Sequence, residues 1–307
     1  MPPDPKAHIE RLVKVMPGLR APVLIAGFQG WNDGGQGASA AVRWLARHLD
    51  GERIASIRPD AFHMFTEMDA RPVVRYRGDE RILRWPAHDL YAIRGGPGWP
   101  NDLVAMVARE PDLHWRTYCQ AALSVAQELG ARRVITLGAF LGAVAHTRPV
   151  PITGYAWSDD QLTALRGIGA ISSRYEGPTG IVSAFAAAAA GAGMAAASLW
   201  AAVPHYLPTT ANPKAALALL RAVRDLTDLP LDLGRLEDAA AYFEGQVSDA
   251  VRAKSEVAQH VHELEEAEPT QTEAVKRSEA ADLPAASDVI KAFEDLLRKG
   301  GPGEQGR

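Results

Sequence analysis

Uncharged apolar runs alternate with stretches of helical period along most of the chain. Residues 22–28 (PVLIAGF) form a continuous apolar run, the pattern of a strand covered on both faces. A glycine-rich stretch follows at 30–37, and residues 38–49 then carry apolar positions at helical spacing. Strand-like runs recur at 102–108 and 133–140, with an amphipathic helix at 115–129 between them. Residues 181–204 contain no charge over a membrane-spanning length. Most of that segment is alanine, and Gly191 and Gly193 interrupt it, so it predicts a buried helix, a glycine turn and a strand at 196–203. A helix at 213–226 follows, with Asn212 as its N-cap. Shorter strands are expected at 53–57, 72–76 and 81–83.

This alternation predicts an α/β fold: a three-layer α/β/α sandwich, over residues 13–233, with a mixed, mostly parallel sheet. From residue 234 the pattern changes. Leu236, Ala240, Phe243, Val247, Ala250, Lys254, Val257, Val261 and Leu264 step by alternating four and three, a heptad seam. The pattern predicts a helical tail over 234–299: a long helix at 236–265, a polar linker and a short helix at 286–299. Residues 300–307 (GGPGEQGR) read as disordered. The seam suits helix–helix association, within the chain or between subunits. It suits equally an amphipathic helix packed on its own domain.

Composition narrows the function classes. The chain has 307 residues, 47% hydrophobic and 23% charged, enough to build a core without disulfides or structural metal. A net charge of -4 argues against sequence-independent nucleic-acid binding, and no Lys/Arg run points to a membrane surface. A single cysteine, Cys119, makes no internal disulfide. The opening MPPDPKAHIERL has no secretory pattern, so a cytoplasmic protein is expected.

Candidate chemistry sits in loops at strand and helix ends. Gly30, Trp31, Asn32 and Asp33 open the glycine-rich loop, where free backbone N–H groups suit an anion. The alternative is a sharp turn with Asn32 or Asp33 capping the next helix. Gly35, Gly37 and Ala40 match the end of a dinucleotide fingerprint, but Trp31–Asp33 stand where its tight first turn belongs, and there is no Walker A motif. His146 and Arg148 lie beyond the strand at 133–140; one suits proton transfer, the other a phosphate or carboxylate. Their alternative is structural, Arg148 pairing a carboxylate and His146 a carbonyl. Glu176 and Thr179 precede the helix at 181, Thr179 as its cap and Glu176 as a partner for Arg148 or a ligand hydroxyl. His205 stands at another strand end and is expected to share a cleft with His146. No HExxH or CxxC motif occurs, so no metal or other cofactor is expected. No G-x-S-x-G elbow occurs, and Cys119 reads as core packing.

Several of these segments also carry a family resemblance. GWND at 30–33, RPDAFHMFTEMDARP at 58–72, LHWRTY at 113–118, HTRPVP at 146–151, YEGPTG at 175–180 and VPHYLPTTANPKAALALL at 203–220 resemble the proteasome-assembly-chaperone family, subunit-two type, in its actinobacterial branch. The resemblance runs in order from about residue 13 to residue 226. It implies a fold similar to purine nucleoside phosphorylases, assembly into oligomers, and a role in proteasome assembly with proteasome subunits as partners. Chaperones of this kind commonly end in a hydrophobic residue, a tyrosine and one final residue. Here the chain ends Glu304-Gln305-Gly306-Arg307, so partner contacts are expected from the acidic helical tail instead. The expectation is therefore a non-catalytic assembly chaperone-like or scaffold protein acting as a homo-oligomer. The alternative is a protein or enzyme that takes a nucleoside or phosphate-containing ligand in a cleft at the strand C-terminal ends.

Overall fold

A computed structural model describes residues 4–67, 70–208, 210–253 and 255–267 of the chain. Its strands, in chain order, are β1 (Ile9–Arg11), β2 (Val23–Gln29), β3 (Glu52–Ile57), β4 (Val73–Arg77), β5 (Glu80–Arg84), β6 (His88–Ile93), β7 (Leu103–Arg109), β8 (Arg133–Gly142), β9 (Ile152–Ala156), β10 (Ile171–Ser172) and β11 (Ala195–Pro204). The α-helices are α1 (Gly37–His48), α2 (Trp115–Glu128), α3 (Asp159–Gly167), α4 (Ile181–Gly191), α5 (Pro213–Thr227), α6 (Gly234–Arg252) and α7 (Ser255–Ala267).

Nine strands make one sheet in the order β1-β3-β6-β7-β2-β8-β11-β9-β10. The central four, β7, β2, β8 and β11, run parallel; outside them the pairs are antiparallel except β9 with β10, so the sheet is mixed as expected. The apolar run of β2 explains its central place. Val23 and Ile25 point into one core with α1 and α5, while Leu24, Ala26 and Phe28 point into the other with α2 and α4. Alternate side chains of a strand face opposite sides, so a strand buried on both faces must be apolar throughout. The result is the three-layer sandwich. Residues 181–204 resolve into α4 and β11, and no described helix is long and apolar enough to cross a membrane.

Five elements escaped the hydrophobic pattern, the three-residue edge strand β1 among them. β6 (HDLYAI) opens with two polar residues, yet His88 is fully buried. β9 and β10 are short and lie at the sheet's edge, where pattern is weak. α3 starts with Ser158 accepting the N–H of Gln161 at 3.4 Å, a serine cap with Gln three positions on. β4 and β5, expected as strands, lie outside the main sheet as a separate two-stranded hairpin.

The helix expected at 236–265 is two helices, α6 and α7, divided after Arg252. Its seam folds onto the chain's own body. Leu236 and Ala240 join the core under α5. Phe243, Val247, Ala250, Val261 and Leu264 pack around Ala143, Ala145, Tyr206 and Leu207. Lys254, the charged seam position, the expected short helix at 286–299 and the tail end at 300–307 lie outside the described residues.

Candidate functional site

Two groups of polar residues form beyond the C-terminal ends of the central strands. The first is built on the loop after β2. Trp31 donates its backbone N–H to Glu110 Oε2 at 3.0 Å, and Ile181 donates its N–H to Glu110 Oε1 at 2.8 Å. Glu110, just past β7, therefore ties the loop to the first turn of α4, where the helix dipole favours a carboxylate. Asn32 is 8% exposed, and its Oδ1 presses on Gly180, the residue before α4. A Cβ at Gly180 would lie 1.9 Å from Asn32 Oδ1 and 2.8 Å from Glu110 Oε1, so only glycine fits there. Trp31 itself is 66% exposed.

Asp33 turns the other way. Its Oδ1 accepts the N–H of Ser39 at 3.0 Å and its Oδ2 the Ser39 hydroxyl, while Arg43 donates to Ser39 Oγ at 2.7 Å. Asp33 thus holds the first turn of α1 through Ser39, a structural role, although the N-cap position itself is Gln36. Burial pushes its carboxyl up from the usual carboxylate range, against the pull of Ser39 and of the Arg43 charge.

The second group lies between the sheet rim and the tail. Tyr206 Oη is 2.8 Å from both His146 N and His146 Nδ1, and His146 Nε2 is 3.1 Å from Ser248 Oγ on α6. A neutral imidazole satisfies this geometry: Tyr206 donates to Nδ1, and Nε2–H donates to Ser248. Burial, with Lys214 nearby, pulls the His146 imidazole down to about 4. Lys214 donates to the His146 carbonyl at 2.5 Å and pairs with Glu244 on α6. His205 Nδ1 lies 3.2 Å from the Gly142 carbonyl, and its Nε2 lies 3.2 Å from His260 Nε2 on α7. Burial lowers the His205 pKa, opposed by the Gly142 carbonyl and assisted by His260. Arg148 donates to the Glu265 carbonyl at 3.1 Å, and Thr147 donates to the Glu265 carboxylate.

His146 and His205 do share one environment, on either side of Tyr206, with ring centroids 6.0 and 5.6 Å from it. Arg148 reaches the tail rather than Glu176. Glu176 and Thr179 are both exposed, and Thr179 does not cap α4: the N-cap is Gly180, and Glu110 takes the N–H. The expectation for Thr179 and for a Glu176–Arg148 pair is corrected on this point. A cap from a residue some seventy positions upstream leaves no local signature, whereas Thr179 had the ordinary one.

The chain matches the PAC2 family model over residues 27–251. It belongs to the PAC2 family. The PAC2 sandwich is found in a PAC2 family protein from Streptomyces avermitilis, 42% identical, with a TM-score of 0.71, covering 78% of this chain and 99% of that one. A proteasome-assembly chaperone homologue from Mycobacterium tuberculosis is 39% identical, with a TM-score of 0.69 and the same coverage. A Pyrococcus furiosus protein described as an archaeal proteasome activator has 19% identity and a TM-score of 0.61 over 79% of this chain and 98% of its own, which shows a shared fold alone. No curated protein matches the chain.

Two polar networks of this PAC2 protein were not visible in the sequence. One is Glu110. The other is a buried file through the opposite core: Asp112 Oδ2 to His63 Nδ1 at 3.2 Å, His63 Nε2 to His88 Nε2 at 2.8 Å, and His88 Nδ1 to Tyr118 Oη at 2.9 Å. The file runs one way with both imidazoles neutral: Tyr118 donates to His88, His88 to His63, and His63 to Asp112. Burial, then the neighbouring His63 and Arg109, bring His88 down to about 3. Spacing within the sequence cannot reveal a file assembled from residues 63, 88, 112 and 118. Cys119 beside it is a core residue, its thiol pushed up to about 12 by burial. Among the described residues, no three His, Cys, Asp or Glu side chains are grouped as metal ligands.

Proposed function

We propose that this PAC2 protein is a non-catalytic assembly chaperone or scaffold with a proteasome-related role, acting as a homo-oligomer through its surfaces. One observation carries the reading. The rim groups best suited to chemistry are engaged with the protein's own elements: Asp33 with Ser39, His146 with Tyr206 and Ser248, His205 with Gly142 and His260. The dipole end of α4, where a phosphate would bind, is occupied by the Glu110 carboxylate. Family membership and the M. tuberculosis relative described as a proteasome-assembly chaperone homologue support the partner class.

Chromatography with light scattering tests the oligomer: a mass of several chains is expected, and a strict monomer at micromolar concentration sinks that part. Co-expression with the proteasome subunits of the same organism tests the partner. Retention of unassembled subunits on the tagged chain is expected. Their failure to bind at low and moderate salt sinks the chaperone role.

A further inference from the structure

The β4–β5 hairpin is the part of the fold with least support from the rest. The two strands pair only with each other, in the register Val74 to Leu83 and Tyr76 to Arg81. Gly78 opens the turn at a φ of +59, a conformation that favours glycine. Nine of the ten strand residues are exposed, with Ile82 partly covered. Residues directly opposite share a face, so Val74, Leu83 and Tyr76 form one apolar face, with Arg81 at its end. They are 38, 56 and 69% exposed, and Trp85 beyond them is 46% exposed. A two-stranded hairpin is marginal in water unless a hydrophobic face is covered.

Charge identifies the cover. Arg81 lies on this apolar face and Arg75, Arg77 and Arg84 on the opposite one, with Asp79 and Glu80 at the tip, which makes the hairpin a basic arm on an acidic protein. The matching surface is α7. It carries Glu256, Glu263, Glu265 and Glu266 and no Lys or Arg, and Glu256, Glu263 and Glu266 are exposed. One chain does not join the two: the arm leaves the sheet between β3 and β6, and α7 packs at the end of β11, four sheet positions beyond β6. At about 4.8 Å per strand that is roughly 19 Å. No hydrogen bond or ion pair links arm and α7 among the described residues.

We infer that the arm of one copy docks on the acidic face of α7 in a second copy, so that each subunit gives one arm and receives one. Such a head-to-tail contact closes into a ring when the rotation allows. The inference rests on the homo-oligomer reading above and names its surface.

The test is a charge swap on the full chain, read by light scattering and native mass spectrometry. R77E/R81E alone and E263R/E266R alone should each weaken assembly at least tenfold in subunit concentration, with unchanged circular dichroism. The chain carrying all four changes should recover most of the wild-type mass. V74S/L83S should also dissociate the assembly. Wild-type mass retained by every variant overturns the arm while leaving the oligomer intact. Loss without recovery in the fourfold variant overturns α7 as the acceptor, and a monomeric wild type overturns both arm and oligomer.

Discussion

His146 Nε2 lies 3.1 Å from Ser248 Oγ, which closes the rim of the central sheet under the tail helix α6. The contact makes the tail part of the site. Ser248 follows Val247, which is fully buried against Tyr206 and Leu207, so polar and apolar contacts fix the same turn of helix.

Tyr206 is the hinge of that arrangement, because its hydroxyl meets both the backbone N–H and the ring of His146. Tyr206→Phe leaves these groups without a partner in a buried setting. It should cost about 1–3 kcal/mol, since an orphaned buried polar group loses its full solvation. Urea unfolding at neutral pH measures it. The double variant Tyr206→Phe/His146→Phe removes both sides of the ring contact and is expected to cost less than the two single losses added.

Packing of the tail has its own test. Phe243→Ala empties a site between α6 and the rim residues Ala143 and Ala145. A loss of about 3 kcal/mol is expected from lost transfer energy and the residual cavity. A change under about 0.5 kcal/mol in the denaturation midpoint would mean that α6 does not pack there.

Glu110 should be worth more than a surface carboxylate. Glu110→Ala leaves the N–H groups of Trp31 and Ile181 unpaired and should destabilise by about 1–3 kcal/mol. Gly180→Ala forces a Cβ against Asn32 Oδ1 and should be worse still, visible as a lower thermal midpoint than Glu110→Ala. Thr179→Ala, by contrast, should be nearly silent, because Thr179 is exposed and caps nothing.

The buried histidines set the acid limb of stability. His88 falls to about 3 and His146 to about 4 in the folded chain, from an ordinary 6.5. Both are neutral in folded and unfolded chains above pH 6.5, so they give no slope there. Below it the unfolded chain takes up protons that the folded chain refuses, and stability falls as pH drops from about 6.5 toward 4 and then 3. Urea midpoints between pH 7.5 and 4.5 should decline, and His88→Asn should flatten the decline.

Much of the fold was legible because burial on both faces leaves a simple mark. The runs at 22–28 and 133–140 had no solution except central strands, and they are β2 and β8. β6 was hidden because His88 and Asp89 satisfy themselves through Tyr118 and Arg53, which no local pattern announces. Of the described seam positions, Leu236, Ala240, Phe243, Val247, Ala250, Val261 and Leu264 are buried and Val257 is half-buried. The heptad seam could not say that the helix breaks after Arg252, since a seam continues in phase across a short break. Of the site, His146 and His205 were placed together because both follow adjacent parallel strands, β8 and β11. Glu110 was missed because a long-range cap is a tertiary contact. Thr179 was misread because local capping chemistry lost to it.

The most direct measurement is the rate at which proteasome subunits of the same organism form assembled particles, followed by native electrophoresis and peptidase activity, with and without this chain. Faster or more complete assembly at stoichiometric amounts is the predicted result, with the dependence lost when the chain is unfolded. Unchanged rate and yield over a tenfold range of chain concentration would contradict the account.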